Sequence, residues 1–545
     1  MRNVTGSLNR AGLKIIAWLG AVCMLGLTAF VWFYTVRRAT TGEVQIERDS
    51  LGGNLLCFLL LLLLAYAVGR GCGFLSRRKM HVLEIIMAVG ITAGLFYLVR
   101  EAAVTEVVAD PAQVLFGAEW LLDGNYEEIS GNPYFWVYPH QLQLSKFWAG
   151  IIRVGGKPVW ESLQLLQYVN AVCAGLTFYA GARITGELFE DVRAEGLYLL
   201  LAIPFAPMYI YVLFLYGEVI GLCCAMLAIW LFLPCDREEQ SGDRSAGWSG
   251  RRAAWRWRCL SVLRWIGVAF FLWIACTMRA ALLIVWIAMA VIGVLTSLRK
   301  KKWKPVLCIL LVLICVLGGQ KLYESSLERQ TGTASAQGAP AILWVAMGMQ
   351  GGEEVSDNPG GYNGYNWDTF TQCGYDAEAA ARQAGEDIAA RFAEWRDDPG
   401  GMIRVLKSKL LNQWAEPSYS AFSSTRMLSG AAQWVTDLWY NEAHVKLYNG
   451  LNRYQSCAYL LICVYLCSLA FARGGDGERR YLPGLILLGG FLFSVIWEAQ
   501  SRYIYPYVVI AMPCMAGGLL LCLAGVDRLV QKFKGFKGTD LRGGA

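Results

Sequence analysis

The chain has 545 residues, of which 56% are hydrophobic and only 17% charged, with a mean hydropathy of +0.39. Soluble domains carry about a quarter charged residues, so this composition excludes an ordinary soluble protein. The net charge of +7 is no sign of nucleic-acid binding in such a chain, because Lys and Arg mark the cytoplasmic loops of membrane proteins.

The apolar residues come in blocks near the ~20 residues that cross hydrocarbon. They run apolar throughout, which excludes the alternating strands of a membrane barrel. Twelve spans are expected: 12–35, 51–69, 82–99, 163–181, 196–213, 217–234, 260–277, 280–297, 305–320, 456–473, 481–498 and 503–526. The first follows Arg2, Arg10 and Lys14, but its length and the lack of a small-residue cleavage site favour an uncleaved span over a signal peptide.

With the N-terminus inside, the inner loops carry "GRGCGFLSRRKMH" (69–81), "RRAAWRWR" (251–258), "RKKKWK" (299–304) and "ARGGDGERR" (472–480). The basic tail 527–542 is then inside as well. Arg37 and Arg38 are the exception and fall outside. The inner 235–258 stretch reads as a flexible charged loop. Nearly all of the 17 cysteines lie in or beside apolar runs, as at Cys223 and Cys224. There they pack as small hydrophobes, and neither zinc-spaced pairs nor a disulfide framework is signalled.

Two sizeable loops, 100–162 and 321–455, then face outward. The chain divides into a transmembrane module (1–320), a loop domain (321–455) and C-terminal spans with the tail (456–545). No Walker-type or GxGxxG phosphate loop is present. In the first loop, Pro111 to Asp123 is an amphipathic helix with Val114, Leu115, Ala118, Leu121 and Leu122 on one side. Asp110 reads as its N-cap, with Gln113 completing a capping-box-like pattern. "NPYFWVYPHQLQLS" (132–145) follows. Phe135 and Trp136 read as anchors in an aromatic belt. That leaves Tyr138, His140 and Gln141, stiffened by Pro139, as one wall of an outward site.

In the second loop, 376–395 is a helix capped by Asp376, with Ile388, Phe392 and Trp395 at helical spacing. "DDPGG" stops it. A second helix, 401–414, places Ile403, Leu406, Leu410 and Trp414 on one face, with Arg404, Lys407 and Lys409 near its polar side. "NPGGYNGYNWDTF" (358–370) is either a coil held by its aromatics or a cover over a sugar site.

An outward Asp after an early span, an amphipathic helix, a "YPHQ" loop and many spans resemble the C-type membrane glycosyltransferases. In particular they resemble bacterial relatives of the dolichyl-phosphate-mannose protein mannosyltransferases. "GGYNGYNWD", "KSKLLNQWAEPS" (407–418) and "EAQSRYIYPYVV" (498–509) extend the likeness over most of the chain. The resemblance implies an all-α C-type fold in the bacterial plasma membrane, with both termini cytoplasmic. It also implies inverting sugar transfer from a polyprenyl-phosphate carrier to a glycan, lipid or protein hydroxyl, with no metal or other cofactor.

By that pattern Asp110 is the general base, a role a carboxylate fills best when partly desolvated. Arg502, first, and Arg279, second, would hold the phosphate, since a guanidinium can engage two oxygens at once. Arg100 and Lys146 are further options. Glu218 would bind sugar hydroxyls or pair with an arginine, Tyr503 completes the Arg-Tyr pair, and His140 would assist. The rival reading is a flippase for lipid-linked saccharides, which calls for ionisable residues inside the spans. Apart from Arg264 few are apparent. A non-catalytic scaffold subunit is the third.

Overall fold

The computed structural model describes the chain except for residues 1, 40–41, 235–247, 302, 333–335, 426–429, 473–476 and 541–545. Part of the expected 235–258 loop and the end of the basic tail therefore lie outside the described residues. The helix Trp248–Met278 begins inside the stretch expected to be loop, and Met512–Asp540 takes in most of the tail.

Each of the twelve expected spans falls mainly on helix. Among the described residues, eight helices are long and apolar enough to cross a membrane, or ten if each of two bent pairs is one span. The protein is an all-α, multi-pass membrane protein, with one small β-hairpin among the described residues. The bent pairs are Val192–Ala202 with Pro207–Leu213, at 67°, and Ser501–Ile510 with Met512–Arg528, at 54°. Pro204, Pro207 and Pro513 remove ladder donors at these bends.

Twelve is not reached by length and composition for two reasons. Glu218–Phe232 has only 15 residues, and Leu163–Phe189 carries polar groups that face inward. Gln167 Nε2 donates to Leu213 O (3.2 Å), and Asn170 Nδ2 donates to Val212 O (3.1 Å) and Phe214 O (3.2 Å). These amides satisfy carbonyls at the end of Pro207–Leu213, where hydrocarbon offers no partner.

The helices differ in burial. Leu59, Leu60, Leu63 and Leu64 on Leu51–Gly73 are exposed, whereas Leu461, Ile462, Leu466 and Leu469 on Glu442–Phe471 are buried. A Cβ at Gly518 would lie 2.0 Å from Leu461 O. Only glycine lets these two helices approach so closely, as small residues do between membrane helices.

Span one ends at Val31 rather than residue 35, because the chain turns into a hairpin, Tyr34–Arg38 paired antiparallel with Val44–Arg48. Val36 N donates to Ala415 O (3.0 Å). The hairpin thus lies against the turn after helix Pro399–Trp414.

In the 100–162 segment, helices Asp110–Asp123 and Gln141–Gly155 pack against each other. A Cβ at Gly117 would lie 2.7 Å from both Phe135 Cζ and Ser145 Oγ. Phe135 is therefore buried in this joint, and Trp136 donates to Ser130 O (2.6 Å) and meets Tyr375 edge-on at 4.8 Å. Phe135 is packed inside the protein rather than set as an anchor.

In the 321–455 segment, Asp376 caps helix Ala377–Asp397, accepting from Glu378 N (2.8 Å) and Ala379 N (3.1 Å). Asp398 caps the next helix, Pro399–Trp414, through Gly401 N (2.9 Å). The inward faces differ from expectation. Phe392 and Ile403 are exposed, while Trp395, Val405 and Trp414 are buried. Lys409 is buried too, donating to Gly348 O (2.6 Å) and Val495 O (2.9 Å). Two carbonyls from separate segments are what draws this lysine inward.

Candidate functional site

Asp110 opens helix Asp110–Asp123 but does not cap it. The N-cap is Ala109, at φ 58°, and no side chain caps the helix. Gln113 accepts from Asn132 Nδ2 (3.2 Å) instead of completing a capping box. The reason is local: the positive φ at Ala109 starts the helix one residue earlier than expected, at Asp110. Asp110, free of that duty, lines a cavity of about 230 Å³ together with Arg38, Phe214, Ser420, Gln500 and Arg502.

Arg502 lies in the first turn of Ser501–Ile510, and Arg279 in the break between the helices ending at Met278 and starting at Ala280. Glu218 begins its own helix and is buried. It pairs with Arg279 and lies 3.5 Å from Arg502 Nε. Both guanidiniums also sit over the Tyr216 ring, at 4.4 and 5.4 Å. Three separate helix starts thus converge on one Arg–Glu–Arg group, and an aromatic face adds to the stabilisation of both cations.

Tyr503 donates to Glu498 Oε2 (3.1 Å). Glu498 is buried, and burial raises its carboxyl to about 7 against the pull of Arg502. Lys409, in the neighbouring helix, is lowered to about 7 by burial, with Glu498 opposing. A carboxylate and an ammonium therefore both titrate near neutrality at this edge of the site.

Tyr138, His140 and Gln141 do not line the cavity that holds Asp110. Tyr138 O–H accepts from Asn366 Nδ2 (3.0 Å) and its ring meets Trp344 and Trp367. His140 Nε2 is 3.1 Å from Gln141 Nε2. The residue is exposed, and desolvation by neighbouring protein and the charge of Arg279 lower its pKa. Arg100 pairs with Glu101, and Lys146 contacts Ser326, so neither joins the cavity.

Sequence reasoning passed over two residues here. Glu416 is fully buried, and its carboxylate accepts from Ser418 N (2.8 Å), Ser418 Oγ (2.5 Å), Ser420 N (2.5 Å) and Ser501 Oγ (2.8 Å), with Tyr448 Oη at 2.9 Å. It ties the Ser420 wall to the residue before Arg502. Arg38 is the second: Tyr448 Oη accepts from its backbone N (3.0 Å). The available signals were the polar run "EPSYS" and a charge exception left unexplained.

Among the described residues, no group of three or more His, Cys, Asp and Glu is placed to hold a metal. A separate ionic group lies in the helices: Arg183 pairs with Glu84 (3.0 Å) and Glu195 (3.3 Å), both buried.

Residues 251–516, just under half of the chain, match the model of a family described as a conserved hypothetical integral membrane protein. The matched part contains Arg279, Glu416 and Arg502 but neither Asp110 nor Glu218. No curated protein and no solved structure matches the chain.

Proposed function

We propose that this protein transfers a sugar from a polyprenyl-phosphate carrier to an acceptor hydroxyl at the outer face of a bacterial plasma membrane, as a C-type glycosyltransferase does. One observation carries the reading: Asp110 and Arg502 line the same cavity, a carboxylate for the acceptor and a cation for the leaving phosphate. In the step envisaged, Asp110 takes the proton of the acceptor hydroxyl while its oxygen attacks the anomeric carbon from the face opposite the phosphate. The carbon–oxygen bond to phosphate breaks, and the electron pair leaves on the phosphate oxygen with inversion at carbon.

Arg502, held with Arg279 by Glu218, would stabilise that departing charge. Two arginines less one carboxylate leave one positive charge, which matches a phosphodiester. A cation fixed in advance lowers the barrier because no reorganisation is needed as charge develops. His140, neutral at working pH and near Arg279, would serve as a positioning group rather than a base.

The buried Glu84–Arg183–Glu195 group is the observation that favours the rival, a flippase of lipid-linked saccharides, since ionisable groups inside spans mark transport paths. It lies toward one end of its helices: Glu84 is about two turns in from Arg77, the first residue of its helix. The experiment that separates the two supplies purified protein in detergent with a panel of labelled polyprenyl-phosphate sugars and mixed acceptors. Sugar transfer is expected. Because detergent leaves no compartments, transport alone gives no product.

A further inference from the structure

Arg38 is the one cavity-lining cation outside the Arg–Glu–Arg group, and it is not neutralised. Its Nη2 donates to Asn412 Oδ1 (2.6 Å) and its Nη1 to Gly42 O (3.2 Å), while its Nε is buried without a hydrogen-bond partner. Among the described residues it makes no ion pair. Arg37, its neighbour, pairs with Glu47 at 3.0 Å. A partly buried guanidinium held by neutral acceptors keeps its full charge in a medium where that charge is costly.

The arginine is built in rather than loosely attached. Its backbone N donates to Tyr448 Oη, and that hydroxyl lies 2.9 Å from Glu416. Glu416 in turn fixes Ser418, Ser420 and Ser501. Ser420, Ser423, Ser424 and Thr425 line the cavity with Arg38. Asp110 and Glu106 line it too, but neither is at ion-pair distance from Arg38.

From this we infer that the Arg38 end of the cavity binds the phosphate of a polyol phosphate, which is the acceptor. The charge goes to Arg38, hydroxyls go to the serine and threonine wall, and one hydroxyl is left for Asp110. The inference rests on the sugar-transfer reading for the word acceptor, but not for the binding itself. A polyol phosphate of this chemistry comes from a soluble or polymeric glycerol phosphate or from a glycerophospholipid headgroup.

The test uses the full-length protein purified in detergent and needs no sugar donor. Melting temperature is followed against glycerol 1-phosphate, against glycerol, and against short-chain phosphatidylglycerol with phosphatidylcholine as control. Wild type is expected to be stabilised by glycerol 1-phosphate or phosphatidylglycerol and by neither control. Arg38→Gln is expected to bind about tenfold or more weakly, and Arg38→Lys less so. Melting of each ligand-free variant separates lost binding from lost folding.

Stabilisation by the soluble phosphate assigns a soluble or polymeric acceptor; stabilisation by the lipid alone assigns a headgroup. Equal binding by wild type and Arg38→Gln, or no binding of either phosphate, overturns the inference. Binding through Arg38 with no sugar transfer from any donor would uphold the anion site and overturn the transferase reading instead.

Discussion

Asp110 and Arg502, from opposite ends of the chain, line one cavity of about 230 Å³. The two are brought together by helix starts: Asp110 by the positive φ at Ala109, Arg502 by the break before Ser501. Behind Arg502, Glu218 ties it to Arg279.

Glu218 therefore has a structural cost when lost. Glu218→Gln leaves two largely buried guanidiniums, 19% and 12% exposed, without their shared carboxylate. Removing one partner of a buried pair costs about 3–5 kcal/mol. A large drop in melting temperature in detergent is expected, and Arg279→Gln in the Glu218→Gln background should recover part of it.

Lys409→Met tests the inward lysine. It leaves Gly348 O and Val495 O without their donor, at about 1–3 kcal/mol for an unsatisfied buried group. Melting should fall, and limited proteolysis should cut the 332–441 segment sooner than in wild type. Unchanged melting and cleavage would show that these contacts do not hold the segment in place.

How far was this legible beforehand? The helices were, because apolar runs of span length are a local signal. Asp110, Glu218, Arg279 and Arg502 were picked out individually, and the structure puts them around one site. The Ala109 cap was hidden, since "ADP" reads as an Asp-Pro start and nothing in it shows φ 58°. The hairpin was missed because two five-residue strands between apolar helices leave little periodicity to read. Lys409 was placed on a polar face because its burial depends on carbonyls distant in sequence. Glu416 was invisible for the same reason: its partners include Tyr448 and Ser501. Phe135 misled because aromatics at a membrane boundary and aromatics in a joint share one composition.

The pH dependence of phosphate binding has a definite sign. Glu498 is raised to about 7, above the usual carboxyl value of about 4.3. An upward shift means the fold favours the neutral acid. That contribution is complete below the unfolded value and is lost as pH rises through about 7. Above pH 7 a new negative charge then stands near Arg502. Binding of a dialkyl phosphate, whose own charge is constant over this range, should weaken between pH 6 and pH 8. Glu498→Gln should flatten the profile; a wild-type profile already flat would contradict the shift.

Gly518→Val should prevent folding, since its Cβ would press on Leu461 O at 2.0 Å and backbone cannot yield as a side-chain tip can. Expression with a fluorescent reporter and size-exclusion chromatography read this directly. A monodisperse Gly518→Val protein would mean that the two helices are further apart.

The most direct measurement is sugar transfer by Asp110→Asn. Because Asp110 makes no capping bond, the substitution should leave melting within about 0.5 kcal/mol of wild type. Transfer from a labelled polyprenyl-phosphate sugar should fall by about 100-fold or more, the usual contribution of a general base. A variant that folds and transfers at the wild-type rate would contradict the role given to Asp110.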